Sequence, residues 1–315
     1  MESGSAIEAL GNQVEVIVRP YGGDVMEEGD VEPALLAMIS QSGEVRLGTE
    51  EVEVACCQSS VVPGPGLGYV VNRSYENSEY TSEIIAFGLD GEAWRAGIDG
   101  IASDPSFDDL GNAHLSVWTD RFDAARIVVF DTTGRLLPTA ADDLPIMPTN
   151  GWSGAGYEYP SAPIVAGDGT TNVIENIERT SILAIDPSGA PRDGWPYHTA
   201  TGLEESGQCS SLDTGCGVFI VTPQAGPDGT LYVALQPSGP ATGGSLIALA
   251  PNGQMRPGWP VGLRRPNGQF WDIVVGTDGG VWSLAVEPEA GGYSATLLSI
   301  APDSTVRGRA TIVEP

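Results

Sequence analysis

Residues 245–260 read SLIALAPNGQMRPGWP: an apolar run, a Pro-Asn-Gly turn, and a second run that ends in Gly-Trp-Pro. The same pattern is written six times. The other copies are LAMISQSGEVRLG from Leu36, IIAFGLDGEAWRAG from Ile84, IVVFDTTGRLLP from Ile127, ILAIDPSGAPRDGWP from Ile182 and LLSIAPDSTVRGR from Leu297. With Leu246 as the anchor of the quoted stretch, the anchors lie 48, 43, 55, 64 and 51 residues apart. Seven residues after the anchor stands Gly43, Gly91, Gly134, Gly189 or Gly253, and in the last copy Ser304. A glycine at a fixed offset after an apolar run lets the chain take positive φ in a hairpin. A period of this length marks a repeat architecture.

Working outward, each copy has two further strand-like runs before its anchor, joined by a turn. They are FWDIVVG and VWSLAVEP around Asp278-Gly279, VFIVTPQ and TLYVALQP around Asp228-Gly229, and APIVAG and TNVIENIE around Asp168-Gly169. Asp-Gly is a strong hairpin signal, because both central residues can adopt positive φ. Each unit is therefore four antiparallel strands in up-and-down order, and six units predict an all-β, six-bladed β-propeller. The blades span about 5–53, 54–101, 102–147, 160–204, 216–264 and 269–315, in one domain. The chain begins on a first strand and ends on a fourth, so the ring is expected to close without strand exchange. First strands such as Ile273-Val274-Val275 are apolar on both faces, as suits a strand between neighbouring blades.

The 315 residues can bury a large core. The formal charge is −28, and all fourteen basic residues are Arg. Such a surface repels phosphate backbones and anionic membrane surfaces, which argues against nucleic-acid binding and against membrane insertion by this segment. No apolar run approaches the roughly 20 residues of a spanning helix. Met1-Glu2-Ser3-Gly4 has neither a basic n-region nor an apolar h-region, so it is not a signal peptide. Four cysteines in a Gly- and Pro-rich β chain favour an oxidising compartment. The expected setting is thus extracytoplasmic, with a leader removed upstream. Cys209 and Cys216 bracket six residues and could staple one loop; Cys56 and Cys57 are adjacent, either a strained vicinal disulfide or two ordinary thiols. None of these spacings is a zinc signature.

Loops alternate between two faces. The face that carries the second-to-third-strand hairpins also carries the long insertions, at 21–32, 74–82, 140–160, 199–216, 236–244 and 262–270. Loops on a rigid scaffold are where binding residues concentrate. Arg264-Arg265, the one basic doublet, stands near Phe270-Trp271 on this face. Arg beside aromatics suits an anionic ligand or a partner's hot spot, and the alternative is an ion pair with nearby carboxylates. Trp152, Tyr157 and Tyr159 lie in the Gly-rich loop GWSGAGYEY, where they could stack on sugar rings, anchor a partner or fold back into the channel. The Asp-Gly turns read as hairpins rather than Ca²⁺ loops, since alternating carboxylates are missing. No nucleophile elbow, zinc-protease helix or phosphate loop is present.

The pattern apolar-apolar-Ala-apolar-Asp-x-x-Gly followed by Gly-Trp-Pro, clearest at Leu183–Pro196 and Ala248–Pro260, resembles the pyrroloquinoline-quinone-like (PQQ-like) β-propeller repeat of bacterial envelope proteins. The resemblance implies that Trp195 and Trp259 dock between blades, with Trp94 a shifted counterpart. That family includes quinone-dependent dehydrogenases and non-catalytic binding or scaffold propellers. In the quinoprotein alcohol dehydrogenases adjacent cysteines cover the cofactor, which would make Cys56-Cys57 a match, but their Ca²⁺-binding acidic motif and catalytic Asp find no counterpart here. Six-bladed quinone-dependent sugar dehydrogenases use a base His, and this chain offers only His114 and His198. The expectation is therefore a non-catalytic module with no resident cofactor, meeting a protein or glycan partner on its long-loop face. The alternatives are a dehydrogenase with PQQ and Ca²⁺, and a glycan hydrolase, which needs two carboxylates about 5–10 Å apart.

Overall fold

The computed structural model describes residues 7–10, 13–18, 31–40, 45–47, 52–55, 59–76, 79–119, 124–138, 141, 144, 160–175, 181–199, 218–237, 243–263, 265–289 and 292–312. The chain divides into two compact units, Met1–Met147 with Tyr159–Pro163, and Pro148–Glu158 with Ile164–Pro315. Every named element among the described residues is a β-strand, and all pairings are antiparallel within six sheets.

The first unit holds three sheets. In the first, β1 (Ile7–Leu10), β2 (Gln13–Val18), β3 (Val31–Ser40) and β4 (Val45–Leu47) lie in sequence order, and β5 (Val52–Ala55) pairs with a further stretch of β3. The second runs β6 (Ser59–Gly64), β7 (Leu67–Glu76), β8 (Glu79–Gly88) and β9 (Gly91–Asp99), also in order. The third departs from the expected four strands. Its first strand is broken into β10 (Ile101–Ala102) and β11 (Ser106–Phe107), both paired with β12 (Ala113–Trp118), which in turn pairs with β13 (Ala125–Phe130). Pro105 stands in the break, where a residue without an N–H cannot donate to the ladder. Arg73 of β7, itself buried, crosses to this break and donates from Nε to the Ala102 carbonyl at 2.6 Å and from Nη2 to Asp104 at 2.8 Å. Past β13 the described residues make one isolated bridge, Phe130 to Leu136, and further backbone hydrogen bonds run from Ile127 N–H to Ala141 O and from Leu144 N–H to Ala125 O.

The second unit holds three sheets in strict sequence order. They are β14 (Ile164–Val165), β15 (Thr171–Glu175), β16 (Ser181–Ile185) and β17 (Tyr197–His198); then β18 (Val218–Ala225), β19 (Leu231–Pro237), β20 (Ser245–Leu249) and β21 (Val261–Gly262); then β22 (Gln269–Val275), β23 (Val281–Glu289), β24 (Gly292–Ile300) and β25 (Val306–Ile312). Gly-Trp-Pro does not end the fourth strand, as the sequence suggested, but precedes it. The segment before it makes a single bridge, Ile185 to Pro191 or Leu249 to Met255, and β17 and β21 begin only after the proline. The prolines at 191 and 196 and at 257 and 260 remove the donors a longer ladder would need.

Within each unit, successive sheets pack face to face. Tyr69, Ile84 and Ala86 meet Leu115, Val117 and Phe130 in the first unit. In the second, Ile174 and Ile182 meet Val233 and Ile247, and the other face of that middle sheet sends Ala234, Leu246 and Ala248 against Phe270, Val281 and Leu298. The small third-strand residue of the repeat is buried where it is alanine, at Ala86, Ala184 and Ala248. A bulkier side chain there would push the neighbouring sheet away. Leu235, Leu246 and Leu249 are fully enclosed, each contributing about 1.5–3 kcal/mol.

The Asp-Gly turns are three-residue loops rather than two-residue ones. Ala166 N–H donates to Thr170 O, and Gly169 N–H to Ala166 O; residues 226–230 and 276–280 repeat this. Only the glycine takes positive φ, 80°, 74° and 72° at Gly169, Gly229 and Gly279. The aspartate keeps an ordinary conformation and uses its side chain instead, as described below. The anchor-plus-seven glycines that are described, Gly91, Gly134, Gly189 and Gly253, all have positive φ, and Ser304 holds φ 70° in the same place. A left-handed L-residue costs roughly 1–2 kcal/mol, part of which glycine returns through unfolded-state entropy. Ser304→Gly is expected to stabilise the chain by about 0.5 kcal/mol, read as a higher urea midpoint at unchanged slope.

Candidate functional site

Three hairpins of the second unit carry the same charged device. Asp168 Oδ1 accepts the Thr170 N–H at 2.9 Å, Asp228 Oδ1 that of Thr230 at 3.1 Å, and Asp278 Oδ1 that of Gly280 at 2.9 Å. Their second oxygens meet Arg192 at 3.1 Å, Arg256 at 2.7 Å and Arg307 at 2.9 Å, each from the stretch after the third strand. Arg192 and Arg256 also donate to Thr170 and Thr230 Oγ1, at 2.6 and 2.7 Å. These carboxylates tie the first-to-second-strand turn to the segment that follows the third strand of their own sheet, which only at Arg307 is the fourth strand itself.

Burial alone would raise Asp168 and Asp228, but hydrogen bonds from Thr170 with Arg192, and from Thr230 with Arg256, outweigh it and hold both below the ordinary carboxylate value of 3.8. Asp278 is lowered by the hydrogen bond from Arg307. Each binds its proton more weakly folded than unfolded, so the stability they supply is present above about pH 4 and is lost as the pH falls through their folded values. The thermal midpoint is expected to drop as the pH is lowered from about 4 to 3, and Asp228→Asn should make that drop shallower while lowering the midpoint at neutral pH.

The first unit builds its corresponding turn from other residues. Asp108 Oδ1 accepts the N–H groups of Leu110 and Asn112 at 2.9 and 2.8 Å, and Oδ2 meets Asn112 Nδ2 at 2.8 Å and His114 Nε2 at 3.3 Å. His114 is buried, and that burial lowers its pKa against the opposing pull of Asp108. It belongs to a turn inside the sheet rather than to an open site. His198 accepts or donates a 3.0 Å hydrogen bond between Nδ1 and Ser181 Oγ across β16 and β17.

The Gly-Trp-Pro tryptophans reach the following sheet. Trp195 Nε1 donates to the Pro251 carbonyl and Trp259 Nε1 to the Pro302 carbonyl, both at 3.1 Å. Trp94 in β9 donates in the same way to Thr132 O at 3.1 Å. Each acceptor lies two residues before the anchor-plus-seven position of the next copy. The sequence pattern marked the tryptophans and the glycines separately; that one lands beside the other could not be read from spacing.

Of the expected binding residues, Phe270 is fully buried between the last two sheets, so it serves the core and not a ligand. Next to it Trp271 is 58% exposed. Arg265 is engaged: Nη1 donates to Pro288 O at 2.9 Å and pairs with Glu289 at 3.1 Å, and its N–H donates to Glu287 Oε1 at 3.3 Å. At Arg265 this is the ion-pair alternative. Arg264, Trp152, Tyr157, Tyr159, Cys56, Cys57, Cys209 and Cys216 lie outside the described residues. Among the described residues no three His, Cys, Asp or Glu stand close enough to share a metal ion.

Among the described residues, two second-to-third-strand hairpins run past the paired ends of their first strands. β7 and β8 continue in register to Glu76 and Glu79, and β23 and β24 to Glu289 and Gly292, whereas β6 pairs no further than Asn72 and β22 no further than Val286. Their ends carry aromatic rings that spacing had not singled out. Tyr75 is 54% exposed and lies against Tyr80, ring centroids 4.3 Å apart, and Tyr293 is 72% exposed. The 74–82 hairpin had been marked only by its length.

No protein-family model matches the chain, and no curated protein matches it. Among solved structures it is similar to the uncharacterised protein lmo1340 of Listeria monocytogenes, with TM-score 0.50 and 10% identity over 96% of this chain and 80% of that one. It is also similar to the β-propeller domain of the trilobed protease from Pyrococcus furiosus, with TM-score 0.48 and 9% identity over 100% and 97%. A glucose dehydrogenase aligns with TM-score 0.40 and 14% identity over 94% and 96%.

Proposed function

We propose that the six sheets are the blades of a closed, six-bladed propeller of the PQQ-like repeat type. In this reading the chain is a non-catalytic binding or scaffold module of an extracytoplasmic compartment. Its partner, a protein or a glycan, meets the face that carries the second-to-third-strand hairpins. The observation that carries the reading is the pair of extended hairpins with exposed tyrosines, Tyr75 beside Tyr80 and Tyr293. Rigid aromatic rings on a supported hairpin give large contact area for little lost rotamer freedom, which suits both protein hot spots and sugar rings. The charged hairpins at the other end of the strands, by contrast, are used up in turns and ion pairs. A closed ring would cover the outer face of the last sheet, where the apolar side chains of Val274, Trp282 and Leu297 are exposed.

The test is binding of the labelled chain to an array of bacterial polysaccharides and to purified envelope proteins. Tyr75→Ala combined with Tyr293→Ala should weaken saturable binding at least about tenfold. Leu136→Ala, at an exposed position beyond the opposite ends of the strands, should leave it unchanged. Binding lost equally in both variants would sink the assignment of the face. Calorimetric titration with PQQ and Ca²⁺ tests the class itself: saturation near one equivalent would replace this reading by a quinone-dependent dehydrogenase.

A further inference from the structure

The cleft between β21 and the last sheet is a second, smaller site with its own chemistry. It encloses about 160 Å³, well short of the several hundred Å³ of a usual small-molecule pocket. That space takes one side chain and its polar end, not a whole cofactor. Val261, Leu263, Ala285 and Leu298 give it an aliphatic wall. Arg265, Glu287, Thr296 and Arg309 line its polar part.

Strand register puts these groups together. Leu298 of β24 stands opposite Arg309 of β25, and Thr296 opposite both Ala285 and Thr311. Arg309 therefore projects from the edge strand on the side of the cleft wall. Arg265 is already neutralised by Glu289 and held by the Pro288 carbonyl. Among the described residues Arg309 makes no ion pair. Two guanidiniums face one carboxylate, Glu287, in a chain whose net charge is −28. Among the described residues Glu287 Oε1 accepts one long bond, from the Arg265 N–H at 3.3 Å, and an ionised carboxylate has about four acceptor sites, so there is capacity for another donor.

We propose that this cleft binds an aliphatic carboxylate, and that its source is the C-terminal residue of a partner chain. The terminal carboxylate forks onto Arg309, the last side chain enters the Val261, Leu263 and Leu298 wall, and the terminal amide N–H donates to Glu287. Arg presents parallel donors that match a carboxylate in two bonds. A free short-chain acid shares the first two contacts and lacks the third. The inference does not rest on the tyrosine hairpins, so either can fail without the other.

The experiment uses the whole chain and three probes, N-acetyl-L-leucine, N-acetyl-L-leucinamide and 4-methylpentanoate, titrated by NMR on ¹⁵N-labelled protein. N-acetyl-L-leucine should saturate in the millimolar range with shifts centred on β21 and β25. The amide, which differs in charge, should bind at least about tenfold more weakly, and so should 4-methylpentanoate, which lacks the N–H. Arg309→Gln should remove binding, Arg309→Lys should retain part of it, and Thr296→Val should shift the affinity without unfolding the exposed edge; urea midpoints confirm that the variants fold. Equal affinity for acid and amide, or unchanged binding in Arg309→Gln, overturns the site. Equal affinity for 4-methylpentanoate and N-acetyl-L-leucine overturns the chain terminus as the source.

Discussion

Trp259→Ala is expected to lower stability by about 3–5 kcal/mol, the largest effect of any single side chain considered. The indole is only 6% exposed and sits among Ala234, Ala248, Ile273 and Leu298 between the last two sheets. It packs edge-on against Tyr232, ring centroids 5.5 Å apart, and its Nε1 donates to Pro302 O. Removal leaves a large cavity and an unmet carbonyl in the neighbouring hairpin. Trp259→Phe separates the two losses: it keeps most of the apolar contact and gives up the hydrogen bond, so it should cost about 1 kcal/mol more than refilling the cavity alone would. Trp195→Ala should cost less than Trp259→Ala, since Trp195 is only half-buried and borders its cluster rather than lying in it. The ranking is read from urea unfolding followed by tyrosine and tryptophan fluorescence. Equal costs at 195 and 259 would mean that the hydrogen bond, common to both, carries the seam.

That seam shows what was legible in the sequence. The six-fold pattern identified strands β15, β16, β19, β20, β23 and β24 because their apolar runs are long and bounded by glycine turns. It marked Trp94, Trp195 and Trp259 because two of them share a tripeptide. It gave the wrong geometry for the Asp-Gly turns, since a local dipeptide cannot report that its carboxylate will be spent on its own turn and on an arginine more than twenty residues away, as Asp228 is on Arg256. It gave no sign that the first strand of the third sheet is split at Pro105 and stapled by the buried Arg73. The site was less legible than the fold. Phe270 and Trp271 looked alike as neighbours, but strand alternation and the following bulge bury one and expose the other. Tyr75, Tyr293 and Arg309 drew no attention, because exposure at a hairpin end or on an edge strand is a property of register, which only the pairings fix.

Gly194→Ala should destabilise the chain by about 3 kcal/mol, with two separable causes. Gly194 holds φ 88°, where any side chain costs about 1 kcal/mol. A Cβ there would also lie 2.2 Å from the Asn252 carbonyl oxygen of the next sheet. That atom is backbone in a turn whose Gly253 is pressed equally close, its own Cβ position being 2.5 Å from Gly194 O. Neither side can yield without moving the turn that accepts the Trp195 hydrogen bond. Gly66→Ala is the control, because Gly66 has φ 76° with nothing within 4 Å of its Cβ position. It should cost only the conformational part, about 1 kcal/mol. The difference between the two variants measures the contact between sheets, and it should be largely abolished in a Trp195→Ala background, where the two turns are no longer tied. A Gly194→Ala cost no greater than that of Gly66→Ala would show that the turns part easily, and that the apolar faces beneath them, rather than the tryptophan-to-turn seam, hold successive sheets together.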